Sequence, residues 1–181
     1  DFYWVESIAD TTFFAACDCT GHGVPGALVS VVCNTALTRA VNEFNLKLPG
    51  EIFDKVRELI VKNFAKSDED VKDGMDASLC ALDKEKRKLF WSGAHNSLWI
   101  YRRQTRIIEQ IKADKQTIGK SQNPKPFTTH ELNYEDGDVI YLFTDGYADQ
   151  FGGPRNKKLT RLRFRELIFE IAEHSSDEQY H

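Results

Sequence analysis

The stretch FFAACDCTGHGVPGALVSVV, residues 13–32, contains the pattern that decides the fold. It begins with a short continuous apolar run, residues 13–17, which is typical of a buried β-strand. The run ends at Asp18 and passes into a loop with two glycines. Pro25 then stands where the first turn of a helix is expected, a position that proline favours. The stretch predicts a buried strand, a tight loop that begins at a carboxylate, and a long helix.

A second stretch repeats this design. Residues 139–145 read VIYLFTD, an apolar strand that also ends in an aspartate, and Gly146 follows Asp145. A strand end holds a carboxylate in place, and glycine lets the backbone turn away and leave room for an ion or a substrate. Asp1, at the head of an aromatic edge strand, is expected to pair with Asp18 across a hairpin. The ordinary alternative is that Asp18 caps a helix and Asp145 is a turn residue; spacing alone does not decide.

Converging carboxylates predict a metal site. Carboxylates that meet in one place repel one another and raise their own pKa values unless a cation neutralises them. All-oxygen sites suit Mg²⁺ or Mn²⁺, and two such ions about 3.5–4 Å apart can activate a bridging water for attack on phosphorus. A rival phosphatase motif, C-x5-R from Cys33 to Arg39, lies inside a periodic helix whose amides are already bonded, so we interpret it as chance.

The rest of the chain predicts an α+β fold. Apolar residues recur every four positions from Leu28 to Phe44, and a second helix has its apolar face between Ile52 and Phe64. An acidic loop, residues 68–74, leads into strand-like segments at residues 77–82, 88–92, 98–102, 106–111, 128–132 and 139–143. A proline-containing loop lies at residues 113–126 and an amphipathic helix at residues 159–172. This order favours mainly antiparallel sheets covered by helices.

Composition narrows the function classes. The chain has 181 residues, 41% of them hydrophobic, which suits one globular domain over residues 1–181. Its net charge of −4 disfavours a general nucleic-acid binder. No continuous run approaches the 18 to 20 or so apolar residues of a membrane span, and no signal peptide is visible. Four cysteines without CxxC spacing predict reduced thiols and a cytoplasmic location.

At residues 18–28, DCTGHGVPGAL, the sequence resembles the bacterial sporulation-stage-II-E-type phosphatases, a branch of the metal-dependent protein phosphatase 2C superfamily. The likeness continues in the family's order through residues 1–4, 73–80, 92–96, 115–119 and 144–153. It implies an antiparallel β-sandwich flanked by helices, in α-β-β-α order, with a binuclear Mn²⁺ or Mg²⁺ centre at one end. It also implies hydrolysis of phosphoserine or phosphothreonine on a protein by a water that bridges the two ions, without a phosphoenzyme.

The resemblance also implies roles for individual residues. Asp18 would bridge the two ions, and the backbone carbonyl of Cys19 would ligate one of them. Asp145 would ligate the first ion, with Gly146 making room, and Asp1 would lie at the second, directly or through water. The implied substrate is a phosphorylated anti-sigma-factor antagonist or a similar small regulatory domain. Such phosphatases are commonly joined to N-terminal sensor domains, and a homodimer is a further expectation.

Two features of the family pattern have no match here. The family's final strand carries an acidic pair that includes a metal ligand, whereas Asp177 and Glu178 follow a helix and are not assigned that role. The glycines expected before Asp1 are also missing. We therefore expect a fold truncated at both ends, which holds its metals weakly or is inactive by itself. The rival hypotheses are a partner-binding pseudophosphatase and a two-metal phosphoesterase that acts on a small molecule.

Secondary candidates each have an ordinary alternative. His22 is a candidate general acid for the leaving serine oxygen, although the family often has lysine here, which favours a loop or phosphate contact. Asp76 could face the metals or bind a third ion, or simply begin a strand. His95, Asn96 and residues 115–119 border the predicted site or form ordinary turns. A basic run could receive an acidic partner or be a solvated helix face: Lys157, Lys158, Arg161, Arg163 and Arg165.

Overall fold

The computed structural model describes residues 1–64, 73–152, 157–174 and 178–179. Residues 68–72 of the acidic loop and Asp177 lie outside these described ranges. The helices are α1 (Gly23–Asn42), α2 (Pro49–Phe64) and α3 (Arg161–Ile171). The strands are β1 (Phe2–Ile8), β2 (Thr11–Cys19), β3 (Gly74–Asp83), β4 (Lys88–Ala94), β5 (Leu98–Arg102), β6 (Ile107–Ile111), β7 (Ile118–Gly119), β8 (His130–Leu132), β9 (Val139–Tyr141), β10 (Phe151–Gly152) and β11 (Lys157–Lys158).

The strands form two main antiparallel sheets. Within the described residues, the larger sheet runs β1-β2-β3-β4-β8, with β7 paired to the start of β3, and the smaller sheet runs β6-β5-β9. β10 and β11 form a separate two-stranded ribbon. β1 lies at the edge of the larger sheet, as the aromatic start of the chain predicted.

Three apolar clusters divide the molecule into four layers. In the first, α1 and α2 pack on the larger sheet through residues such as Phe13, Leu37 and Phe53. In the second, the two sheets pack on each other around Trp91. In the third, α3 covers the outer face of the smaller sheet through Phe164. The layer order is therefore α-β-β-α, which confirms the predicted fold class.

Both faces of β2 are covered by apolar layers, which explains its continuous apolar sequence. Phe13, Ala15 and Cys17 face the helices, whereas Phe14 packs between the two sheets. A strand covered on both faces needs apolar residues at successive positions, so the run at residues 13–17 is correctly interpreted as a buried strand. Cys33 and Arg39 both lie within α1, as predicted, where the backbone amides are used by the helix.

Some short pairings were not predicted. β7 lies inside the segment predicted as a proline-containing loop, and it pairs with Gly74 and Met75 only because the fold brings the two segments together. The strand predicted at residues 139–143 ends at Tyr141, because the chain leaves the ladder and Thr144 hydrogen-bonds to the side chain of Asp1. A two-residue pairing or an early strand end leaves no periodic signal in the sequence.

The hydropathy of α1 corrects the expectation that no segment is apolar enough to resemble a membrane span. Although its apolar residues are not continuous, α1 is long and apolar enough to cross a membrane by length and composition alone, with a mean hydropathy of 1.4 in its most apolar window. A helix packed into a protein core passes the same test, and α1 buries Val29, Cys33 and Leu37 in the layer between the helices and the larger sheet. The helix is apolar on more than one side, since Val24, Leu28 and Val31 are exposed.

A buried carboxylate joins the ends of β5 and β9. The side chain of Asp138 is 4% exposed and accepts hydrogen bonds from the Arg102 guanidinium at 2.8 Å and from the backbone N–H of Arg103 at 3.0 Å. Burial alone would raise the pKa of Asp138, but these hydrogen bonds outweigh burial and hold the pKa below its usual range.

We expect Asp138→Asn to lower the free energy of unfolding by about 1–3 kcal/mol at pH 7, because the charged acceptor is lost. A carboxyl whose pKa is lowered by folding stabilises the protein above its unfolded pKa of about 3.9, and this contribution is lost as the pH falls through the folded pKa. The difference between wild type and variant should therefore shrink below about pH 4. Urea unfolding at several pH values measures this. Asp136→Asn is the control, since Asp136 is 90% exposed, and an equal loss in both variants would contradict the prediction.

Candidate metal centre

Ladder register brings three aspartates to one end of the larger sheet. Asp18 in β2 is paired directly with Asp76 in β3. On its other side, the pairing of Phe2 with Cys17 puts Asp1, the preceding residue, opposite Asp18. Residues that oppose each other in a ladder project from the same face. The three aspartates therefore occupy neighbouring positions in a row across β1, β2 and β3.

The segment after β9 brings a fourth carboxylate from the smaller sheet. The Thr144 hydroxyl donates to Oδ2 of Asp1 at 2.9 Å and so joins the end of one sheet to the edge strand of the other. The next residue, Asp145, lies close enough to Asp18 to affect the pKa of its carboxyl group. Burial and the negative charge of Asp145 raise the pKa of Asp18, and Asp76 adds to this, while the N-terminal ammonium group opposes it. The site thus concentrates negative charge.

Gly146 allows a close approach to Asp1. A Cβ atom at position 146 would lie 2.7 Å from Oδ2 of Asp1, closer than van der Waals contact permits. A side chain at this position would therefore push the Asp1 carboxylate, the end of a flexible side chain, away from the turn that follows β9.

The loop after Asp18 is held by hydrogen bonds to the start of β3. The Thr20 hydroxyl donates to Oδ1 of Asp73 at 3.0 Å, and the Thr20 backbone N–H donates to the carbonyl of Gly74 at 3.1 Å. The Cys19 side chain packs on the helix side of the sheet, where the Cys33 thiol hydrogen-bonds to it and lowers the pKa of Cys19 to about 7. Since alternate residues of a strand point to opposite faces, Cys19 can offer the carboxylate site only its backbone.

Other predicted residues have these positions. His22 directly precedes α1, is exposed, and makes no side-chain capping hydrogen bond. Asp76 lies near the start of β3 and is also paired with Asp18. It can therefore be a strand-start residue and face the candidate metal centre at the same time. His95 is an exposed turn residue with φ 57°, and Asn96 is buried in the same turn.

Two of the five basic residues near α3 form ion pairs with acidic neighbours, and a third hydrogen-bonds to the backbone. Lys158 pairs with Asp149 at 2.7 Å and Arg163 with Glu166 at 2.8 Å. Arg165 donates to the backbone carbonyl of Ile108 at 2.9 Å. These contacts favour a solvated helix face over a phosphate-binding surface.

Two hydroxyl groups at the site were not predicted. Thr144 orients Asp1, and Thr117, next to β7, donates to Oδ1 of Asp76 at 2.8 Å. Residues 115–119 therefore contribute directly to the site through Thr117. Threonine is common in loops, so the only available signal was its place within the family motifs.

The donor set fits hard divalent cations. Carboxylate and carbonyl oxygens are the ligands that Mg²⁺ and Mn²⁺ prefer. Among the described residues, no three His, Cys, Asp or Glu side chains are already grouped at metal-ligand spacing. The chemistry of the residues fits a divalent cation, which would neutralise the repulsion between Asp18, Asp145 and Asp76.

The four layers and the acidic end of the sandwich define the class as a protein phosphatase 2C domain. The SiaA-PP2C domain of Pseudomonas aeruginosa matches with a TM-score of 0.84 and 27% identity, over 98% of this chain and 68% of that chain. The structure of the PP2C phosphatase domain and a fragment of the regulatory domain of SpoIIE from Bacillus subtilis matches with a TM-score of 0.68 and 14% identity, over 97% of this chain and 47% of that chain. RsbX in complex with magnesium matches with a TM-score of 0.59 and 15% identity, over 96% of this chain and 80% of that chain.

The family follows from the sequence match. The family model for Stage II sporulation protein E (SpoIIE) matches residues 9–180, so the chain belongs to this family. The fold and the family support a protein phosphatase function in general, and this phosphatase family depends on Mg²⁺ or Mn²⁺. No curated protein sequence matches it.

Proposed function

We propose that this chain hydrolyses phosphoserine or phosphothreonine on a regulatory protein with the help of two Mn²⁺ or Mg²⁺ ions. The proposal rests mainly on one observation. Asp1, Asp18 and Asp76 are aligned in one row by the strand register, and the charge of Asp145 acts on Asp18. A structural carboxylate would have a basic partner, whereas the charge of Asp18 is disfavoured by two acidic neighbours. Such an arrangement supports metal-assisted hydrolysis.

Each residue has a distinct task in this proposal. Asp18, in the middle of the row, would hold the ions together with Asp1 and Asp145 from the flanking segments. The Cys19 carbonyl is a further oxygen donor. When bound, the ions supply an activated water and neutralise the charge of the phosphate. Asp76 remains a candidate ligand for a further ion.

Neighbouring groups position these donors. The Thr144 hydroxyl orients the carboxylate of Asp1, and Thr117 does the same for Asp76. Gly146 has no side chain that would push the Asp1 carboxylate aside. We retain His22 as a candidate general acid that protonates the leaving serine oxygen, because its loop follows Asp18 directly.

The proposed substrate is a phosphorylated anti-sigma-factor antagonist or a similar small regulatory domain. Support comes from the sequence motifs and from the family assignment. We place the protein in the cytoplasm, as one domain that receives signals from attached sensor domains. The four cysteines are free thiols, in keeping with a reducing compartment.

Metal removal tests the proposed function. We expect EDTA to abolish phosphate release from a phosphoserine peptide, and added Mn²⁺ to restore it, because the aspartates need cations to bind and activate water. Phosphate release should be measured on this chain and on the full-length protein, together with circular dichroism to show that the fold survives EDTA. Turnover that EDTA leaves unchanged would contradict the metal mechanism. A folded protein that releases no phosphate in either form would favour a pseudophosphatase.

A further inference from the structure

An apolar groove opens directly beside the row of carboxylates. It is shallow and open to solvent, with a volume of about 360 Å³, in which a side chain can lie against the lining residues. We call it the aromatic groove, and its lining residues are Phe2, Tyr3, Ala16, Phe143 and Tyr147, with Asp1 and Thr144 at its end. Because Asp1 and Thr144 also belong to the candidate metal centre, the groove is continuous with the place where a phosphate would be bound.

The walls of the aromatic groove are exposed to an unusual degree. The side chain of Tyr3 is 83% exposed and that of Tyr147 is 57% exposed. Large aromatic side chains that remain exposed together, at the rim of a polar site, are typical of surfaces that bind another molecule.

Parts of the groove lining are held in place before any ligand arrives. The backbone of Tyr3 lies in the β1–β2 ladder opposite Ala16, which also lines the groove. The Phe143 ring meets that of Trp99 edge to face at a centroid distance of 4.7 Å. The Tyr147 ring packs on Phe164 at 5.1 Å. A preformed surface loses little conformational entropy on binding.

The charge of the lining residues favours an apolar ligand over an anionic one. Among the described residues that line the groove, none is a lysine or arginine, and Asp1 is the only carboxylate. A second phosphate would therefore be repelled, whereas an apolar side chain would be desolvated against aromatic rings. The shared position of Asp1 requires that this side chain be attached close to the reacting phosphate.

We propose that the aromatic groove binds an apolar side chain immediately next to the phosphorylated serine of a protein substrate. The inference rests on the proposed function and adds a rule of substrate selection to it. Tyr3 and Tyr147 are then specificity-determining residues. They distinguish phosphoserines flanked by leucine or phenylalanine from those flanked by small polar residues.

Two fluorescein-labelled phosphoserine peptides test this proposal. They differ only at the positions on either side of the phosphoserine, which are leucine in one peptide and serine in the other. We expect kcat/KM to be at least about tenfold higher for the leucine peptide, since a matched apolar pocket commonly provides selectivity of this size. The double variant Tyr3→Ser with Tyr147→Ser should reduce the preference to about twofold or less.

Val5→Ser provides the matched control. Val5 is also exposed, at 59%, and lies two residues beyond Tyr3 on the same face of β1, but it does not line the aromatic groove. The preference for the leucine peptide should remain in this variant. Equal kcat/KM values for the two peptides in the wild type would overturn the proposal, and so would a preference that survives the double variant.

Measurements of peptide binding test the groove independently of the proposed hydrolysis. If neither peptide nor p-nitrophenyl phosphate is hydrolysed, the proposed function fails, but fluorescence anisotropy with the same peptides and variants still tests the groove. Preferential binding of the leucine peptide that depends on the two tyrosines would support the inference, and equal binding would overturn it. Adenosine monophosphate serves as a competitor, and tighter binding of this nucleotide through Tyr3 and Tyr147 would assign the groove to a small molecule instead.

Discussion

Asp145→Asn and Asp18→Asn are each expected to lower kcat for a phosphoserine peptide by at least about 100-fold. Loss of a group that merely supports a metal ligand typically costs 10–100-fold, and these two carboxylates are proposed as ligands themselves. Asparagine keeps the size of aspartate but removes the charge that attracts a cation. Phosphate release at saturating Mn²⁺ measures the effect, and Mn²⁺ binding followed by calorimetry should weaken in parallel.

The substitution Asp18→Asn should raise the stability of the protein although it lowers activity. The charged form of Asp18 is disfavoured by burial and by Asp145 and Asp76, so Asp18→Asn should raise the urea midpoint of the metal-free protein. Gain of stability with loss of activity marks a residue retained for function rather than for folding. Asp10→Asn is the control, because Asp10 is exposed in the turn at the other end of the same β1–β2 hairpin. Activity within a few-fold of wild type in both ligand variants would refute the assignment.

Trp91→Ala is expected to cause the largest loss of stability, about 3–5 kcal/mol in the free energy of unfolding. Trp91 is completely buried between the two sheets, and its indole N–H donates to the hydroxyl of buried Ser78 at 2.8 Å. The substitution leaves a cavity in the layer that joins the sheets and removes the partner of a buried hydroxyl. Urea unfolding followed by circular dichroism measures the change.

Tyr3→Ala is the matched control for this prediction, since Tyr3 is a large aromatic residue that is mostly exposed. It should change the free energy of unfolding by no more than about 0.5 kcal/mol. A loss below about 1 kcal/mol for Trp91→Ala would mean that contact between the two sheets contributes little to stability. The four-layer arrangement would then depend mainly on the helices.

Much of the site could be predicted from the sequence because its residues lie in recognisable local patterns. Asp18 and Asp145 each end an apolar run, and glycines follow both. The hairpin that pairs Asp1 with Asp18 is short, so its register follows from the length of the turn. Thr117 and Thr144 escaped prediction as site residues because their roles depend on partners 41 and 143 positions away in the chain.

The same contrast holds for the fold. The periodicities of α1 and α2 and of most strands are local properties, so element type and order could be predicted from the sequence together with the α-β-β-α class implied by the family motifs. The short β7 and the early end of β9 depend on contacts between distant segments, which no local pattern records.

The sequence alone determined that this protein has apolar strands ending in aspartates, glycines that leave room beside them, and helices to cover the sheets. Only the tertiary structure decided that Asp76 lies in the same row as Asp18 and that the end of the smaller sheet reaches Asp1 through Thr144. It alone also placed Tyr3 and Tyr147 in the lining of one groove. The physical reason is that local sequence sets backbone preference and burial, whereas convergence of side chains depends on ladder register and on how two sheets pack.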